Sequence, residues 1–440
     1  MNRLSSIASV LVISVGLLVT GSTLAAAQQP KPQATEVGVT ATTIRIAVVA
    51  DVDNPAVPGL FQGSVDAVKG AARLINAQGG IGGRKVAVDF IDSHLNANQA
   101  RNAIITACSQ DFALVGTSAL FLSNVDDEIN CKNMQGQPVG LPDLGGVVFG
   151  VPQACSPVSY PVNVANLICS TKDQNPQTYQ GNQGDAKYFL KTFGKLHGAF
   201  VVPNDTKDVS TGIQVLEAIA VQAGIKADQS PMTAGSSPQS AYTPIIQKMK
   251  TDNSNWGFDG GSYSSMVEFR QEAQLQGLTN PKIVWSCTTA CYDPSFLKAG
   301  GSAVDGTFIP MAFLPFNEAK TNKALANFVK YVGPSKVTGL GVYAYSAAMA
   351  LRQVLDGVVA KDGVNGITRA ALLDGLKKLT SFNAGGMIGV TNVGGRVTSS
   401  CGVIVQVKNG KFVRVTPTKK GTFTCNPKNH VTVKADLIGN

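Results

Sequence analysis

Thr43-Ile44-Arg45-Ile46-Ala47-Val48-Val49-Ala50 is a short β-branched run ending at Asp51, the pattern of a mostly buried strand. After a loop with Pro55, Pro58 and Gly59, the residues Val65, Val68, Ala72 and Ile75 recur at three- and four-residue spacing, which puts them on one helix face. Gly79-Gly80-Ile81-Gly82-Gly83 stops that helix, because glycine alone takes positive φ without a steric cost. Lys85 to Asp92 then alternates, with Val86, Val88 and Phe90 on one side. Strand, helix and strand in this order predict a right-handed crossover between parallel strands.

The same grammar continues outward. Asn98 to Cys108 reads as a helix and Phe112 to Val115 as a third strand, opening into Gly116-Thr117-Ser118-Ala119. Open α/β sheets bind ligands at such strand ends, although the loop reads equally well as a plain βα turn. Asn133 to Asn182 is irregular, and is either a crossing between domains or a disulfide-tied excursion. Alternation restarts with a strand at Gly198 to Val202, the polar turn Pro203 to Asp208 and a helix from Gly212 to Ala223. A helix follows at Tyr242 to Met249, then a strand at Trp256 to Asp259 ending in Gly260-Gly261-Ser262-Tyr263. A helix (Ser265 to Gln276), a strand (Lys282 to Trp285) and the loop Ser286 to Cys291 complete a second βα series. The expectation is two similar α/β lobes. The last third reads as helices at Asn317 to Val332, Leu340 to Val358 and Thr368 to Leu379, then a hairpin turning at Asn409-Gly410.

The chain has 440 residues, too many for one ordinary core. Arg3, the apolar run Ile7 to Val19 and Ala25-Ala26-Ala27 make residues 1–27 a secretory signal peptide, followed by a polar linker at 28–42. Leu18-Val19-Thr20-Gly21-Ser22 resembles a lipoprotein box, but Ser22 stands where a lipidated cysteine is required. No later stretch is apolar enough to span a bilayer. The charge after processing is about +8, carried by scattered lysines without interleaved aromatics, which argues for a solvated surface and against nucleic acid. All eight cysteines follow the signal. An even number in an exported chain points to disulfides. Nearest neighbours would pair Cys108 with Cys131, Cys155 with Cys169, Cys287 with Cys291 and Cys401 with Cys425, although spacing alone leaves the connectivity open.

Catalytic and cofactor motifs are missing. His94, His197 and His430 stand far apart, and there is no G-x-S-x-G elbow, phosphate-binding loop or HExxH. The glycine cluster at 79–83 follows a helix and precedes a strand, the reverse of a dinucleotide loop. The pattern calls for neither an enzyme, a cofactor nor a metal.

In order, Ile44 to Val49, Ile75 to Lys85, Phe112 to Gly116, Gly260-Gly261-Ser262, Tyr343 to Ala348 and Val405 to Val413 resemble the periplasmic leucine/isoleucine/valine-binding protein family. These are the type I solute-binding proteins of ABC importers. The resemblance implies two Rossmann-like lobes with parallel-rich sheets joined by a three-crossing hinge. Lobe one would be 43–165 with 309–395, and lobe two 166–308 with 396–440. It implies a soluble monomer of the periplasm or cell envelope that closes on a small molecule and delivers it to a membrane permease. A ligand sensor of the same fold acting on a membrane receptor is the alternative. The implied ligand contacts are Phe61, Thr117, Ser118, Leu120, Phe121, Asp143, Asp205, Gly261, Ser262, Tyr263, Ser286 and Thr288. Asp208 is also within reach, and for Asp205 and Asp208 a turn or cap role is the simpler reading. Amino-acid binders of the family carry an acid after a lobe-two strand to hold the α-ammonium. The matching Trp285-Ser286-Cys287-Thr288 has none, which favours a less zwitterionic, partly apolar ligand.

Overall fold

The computed structural model describes residues 31–55, 57–169 and 178–434. The expected signal peptide lies outside them. Four parallel strands, β1 (Thr43–Ala50), β2 (Lys85–Asp92), β3 (Ala113–Val115) and β4 (Asp143–Leu144), form a first sheet in the order β2-β1-β3-β4. Both faces of β1 are apolar because both are covered. Ile44, Ile46 and Val48 join the core under the helix Gln62–Ala77, whereas Ala47 and Val49 pack with Ala100 and Ile104 of the helix Ala97–Gln110. The helices Lys323–Val332 and Gly339–Asp362 also pack on Gln62–Ala77. Gly70 permits this, since a Cβ there would stand 2.7 Å from a methyl of Val332.

Strand β5 (Thr178–Asn182) begins the second half. The second sheet contains β6 (His197–Pro203), β7 (Lys226–Gln229), β8 (Met232–Thr233), β9 (Trp256–Asp259), β10 (Val284–Cys287), β11 (Phe308–Met311), β12 (Cys401–Lys408), β13 (Lys411–Thr416) and β14 (Thr424–Cys425). Its main order is β13-β12-β11-β10-β9-β6-β7, parallel from β11 to β7, with β12 and β13 antiparallel. The final strand, β15 (His430–Lys434), pairs antiparallel with β5. Asn409 and Gly410 both take positive φ, 50° and 67°, as the tight β12–β13 turn requires.

Several boundaries move for local reasons. The helix expected from Gly212 begins at Lys207, because Thr206 caps it by accepting the Val209 N–H at 3.1 Å. The strand expected at Lys282 starts at Val284, since Asn280 holds the preceding residues in a turn through the Lys282 and Ile283 N–H groups. The single helix expected at Asn317 to Val332 is broken into a 3₁₀ turn, Phe316–Thr321, and a helix capped by Asn322. Strand β11 belongs to the second sheet, so that crossing falls after Met311 rather than at 308/309. Residues 31–42, read from sequence as part of a linker, instead pack on the first lobe, with Glu36 and Val39 buried.

Three segments join the lobes and they are laced together. Leu314 N–H donates to the Met387 carbonyl, and Gly389 N–H to that of Ala312. Farther along, the Arg396 guanidinium donates to the Ser156 and Ser159 carbonyls and lies over the Tyr160 ring. The Arg396 carbonyl in turn accepts from Gln180. The four disulfides are Cys108–Cys131, Cys155–Cys169, Cys287–Cys291 and Cys401–Cys425.

Two fully buried arginines bind distant chain segments. Arg84 donates to the Gln33, Thr40 and Val364 carbonyls, and Arg369 to those of Cys108, Asp111, Phe112 and Lys132. Replacing Arg369 by methionine strands those four carbonyls in a dry interior. Arg369→Met is expected to cost about 3 kcal/mol or more of folding stability, read as a lower urea midpoint with an unchanged slope.

Candidate functional site

The C-terminal ends of the parallel strands in both sheets open onto one cleft of about 2350 Å³. The first lobe contributes the loop after β1, with Leu60 and Phe61, and Leu120 after β3. The second contributes Asn204, Asp205, Lys207 and Asp208 after β6, Gly261, Ser262 and Tyr263 after β9, Ser286 near the end of β10, and Thr288 and Thr289 after it. A buried aspartate at a strand end fixes each group of loops. Asp51 accepts the Ser93 hydroxyl at 2.6 Å and the Leu95 and Leu120 N–H groups at 2.8 Å each, while its own carbonyl accepts the Phe61 N–H. Asp259 accepts the Gly261 N–H at 2.7 Å and the Ser265 hydroxyl at 2.8 Å; that hydroxyl also meets the Tyr242 phenol at 2.7 Å.

Of the twelve residues expected from sequence, Phe61, Leu120, Asp205, Gly261, Ser262, Tyr263, Ser286 and Thr288 line this cleft. Thr117, Ser118, Phe121 and Asp143 do not. Thr117 donates to Asp143 at 2.7 Å, and Asp143 also accepts Gln153 at 2.8 Å and Ser159 at 3.2 Å, all within the first lobe. Burial pushes the Asp143 carboxyl up, and its three donors hold it down in part. Ser118 continues the sheet, its N–H donating to Val49 and its hydroxyl to the Gly116 carbonyl. The Asp205 carboxylate lines the cleft but is taken by the Gly235 N–H, at 2.9 and 3.0 Å. Phe149 was not anticipated. It lines the cleft from the first lobe and rests on Gly212 of the second, where a Cβ would lie 3.2 Å from its ring. It sits in the irregular stretch, where no periodicity marks it.

The Cys287–Cys291 disulfide closes the loop that carries Thr288, Thr289 and Ala290. Gly339 N–H, at the start of a first-lobe helix, donates to the Tyr292 carbonyl just beyond it. Among the described residues no group of three or more His, Cys, Asp or Glu side chains is placed to hold a metal.

Burial raises the Asp259 carboxyl from 3.8 to about 7, only partly opposed by its two donors. Because the folded value lies above the unfolded one, the folded state holds this proton longer. Stability from this group is therefore full at low pH, is lost as pH rises from about 4 to about 7, and is level above that. Asp259→Asn is expected to flatten that part of the profile relative to the parent, measured by urea unfolding at a series of pH values.

The structure resembles many solved ones. It superposes on a fatty acid ABC transporter substrate-binding protein from Thermomonospora curvata with a TM-score of 0.67 at 14% identity, covering 90% of this chain and 98% of that one. A leucine-binding protein from Thermotoga maritima gives 0.65 at 16% identity, covering 88% and 99%. An ABC transporter substrate-binding protein from Aeropyrum pernix gives 0.68 at 13% identity, covering 88% and 97%. No curated protein matches the sequence. At these identities the likeness carries the fold. The sequence itself matches the family model described as periplasmic binding protein over residues 43–411, and the chain belongs to that family.

Proposed function

We propose that this protein captures a small molecule outside the cytoplasmic membrane by closing two lobes around it, and delivers it to the permease of an ABC importer. One observation carries the reading: two parallel sheets present their strand ends to a single cleft, and the chain passes between them three times. A cleft shared by two hinged bodies couples binding to closure, since a ligand touching both lobes favours the closed state by the contacts made only there. Shifting such an equilibrium from mostly open to mostly closed takes about 5.5 kcal/mol of differential binding. In this reading lobe one is 43–165 with 312–395 and lobe two is 166–311 with 396–440. Phe61, Leu120 and Phe149 form one wall, and Gly261, Ser262, Tyr263, Ser286 and Thr288 form the other. The hydroxyls of the second wall supply hydrogen bonds, while the aromatic rings cover apolar ligand surface.

The test is native mass spectrometry of the purified protein for a co-purifying ligand, followed by X-ray scattering with and without it. A bound small molecule and a more compact particle are expected, with the Trp256 emission at the cleft following titration. Chemical conversion of that molecule, abolished by one substitution, would mark an enzyme instead.

A further inference from the structure

The chain carries a formal charge of +9, and its bases are unevenly placed. From Gly375 to Ala435 the sequence holds ten lysines and arginines and no aspartate or glutamate. The fold gathers part of this stretch. Lys408 and Lys411 stand directly opposite each other across β12 and β13. Like charges in that register destabilise a strand pair, so sheet stability does not account for them. Strand β13 is the outer strand of its sheet, which leaves this edge without a further strand.

The loop after β13 adds two more. Arg414 donates to the Pro417 and Thr422 carbonyls, at 3.0 Å each, and to the buried Glu318 carboxylate at 2.7 Å. Glu318 also accepts the Gly421 N–H at 2.8 Å. These bonds hold residues 417–422, which carry the exposed Lys419 and Lys420, against the 3₁₀ turn Phe316–Thr321. Lys320 lies in that turn and Lys323 opens the next helix, both exposed. Asn317 ties the same turn to the hairpin by donating to the Phe412 carbonyl at 3.2 Å. The nearby acids are committed, Glu318 to Arg414 and Gly421, and Asp305 to the Gly410 N–H at 3.1 Å. None of the six lysines has an ion-pair partner among the described residues, whereas Lys226, Lys248 and Lys336 elsewhere do.

We infer that the face formed by Lys320, Lys323, Lys408, Lys411, Lys419 and Lys420 is a docking surface for an anionic lipid bilayer. None of the six lines the cleft, so the partner is an extended surface and not the solute. The exposed groups are all lysines, hydrated point charges on flexible stems that suit a diffuse layer of headgroups. The one arginine among them, whose planar fork would suit a fixed phosphate, is turned inward on Glu318. Attraction to a negatively charged leaflet adds up over such lysines and falls off within a screening length. The inference goes beyond the solute-binding reading, in which the permease sits in a membrane. With Ser22 in place of a lipidated cysteine, reversible adsorption through this face would keep the chain beside that membrane while leaving the cleft open.

The test is co-sedimentation of the exported protein with vesicles of phosphatidylcholine alone and of phosphatidylcholine mixed with phosphatidylglycerol. Binding to the anionic vesicles is expected to be about tenfold or more tighter at low ionic strength, and to fade as added salt shortens the screening length. The neutral vesicles read any apolar attachment, including one from residues 1–27. The triple variant Lys411→Glu, Lys419→Glu, Lys420→Glu should lose about tenfold or more of the anionic preference, with circular dichroism and melting temperature showing a folded protein. A second triple variant, Lys85→Glu, Lys132→Glu, Lys250→Glu, changes the formal charge equally at exposed lysines outside this group, and should stay within about threefold of the parent. Equal binding to both kinds of vesicle, no loss in the first variant, or an equal loss in the second overturns the inference. Binding to soluble polyglutamate without binding to anionic vesicles also overturns it, by marking an acidic protein as the partner. No arm needs a solute, so failure here leaves the solute-binding reading standing, and failure to find a co-purifying solute leaves the docking surface standing.

Discussion

A parallel strand delivers its backbone to the sheet edge with polar groups still to satisfy, and this protein meets the demand with buried carboxylates. Asp51 and Asp259 stand at or just beyond the C-terminal ends of β1 and β9, Asp143 opens β4, and each is fully enclosed. Each accepts hydrogen bonds from the neighbouring turns, so a charged or proton-sharing oxygen acts as the node around which several loops are arranged. Leu120 and Phe61 reach the cleft because Asp51 holds the backbone of both. The Gly260-Gly261 turn is shaped by Asp259 in the same way. The rigid frame is the polar interior of each lobe, and the cleft surface is what the frame leaves free.

Legibility followed the range of the interaction that produced each feature. The period-two and period-3.6 patterns around Val48, Val65 and Val86 report burial against neighbours in the same unit, and the sheets and helices read from them are present. Asn409-Gly410 announced its turn because a two-residue hairpin needs positive φ at both positions. Arg84 and Arg369 gave no warning, since their partners lie at residues as remote as Val364 and Cys108, and a lone arginine in sequence looks like surface. The same limit applies to Thr117, Ser118 and Asp143, whose partners within the first lobe are remote in sequence. Hydroxyls beside a carboxylate are the residue types a ligand would use, but here Thr117 gives its hydroxyl to Asp143 and Ser118 gives its own to the Gly116 carbonyl.

The two aspartates after β6 show how finely position decides chemistry. Asp205 and Asp208 are three residues apart, and either could have been a turn residue. Asp205 is spent on the Gly235 N–H, which the loop after β8 brings alongside it. Asp208 lies one residue into the helix capped by Thr206, where its carboxylate suits the local dipole but finds no donor. Local structure accounts for the place of Asp208 and leaves its hydrogen-bonding capacity unused.

The lacing of the three crossings has a mechanical consequence. Hydrogen bonds that tie Leu314 to Met387 and Gly389 to Ala312 fix those two segments in register, and Arg396 fixes the last segment to the first. Sliding one segment past another would break several of these bonds at once, so the crossings resist shear as one laminate, with 388–400 bonded on both sides as its middle ply. In the closure proposed above, the bend then falls at the ends of that laminate, which keeps the two walls facing one another without lateral slip.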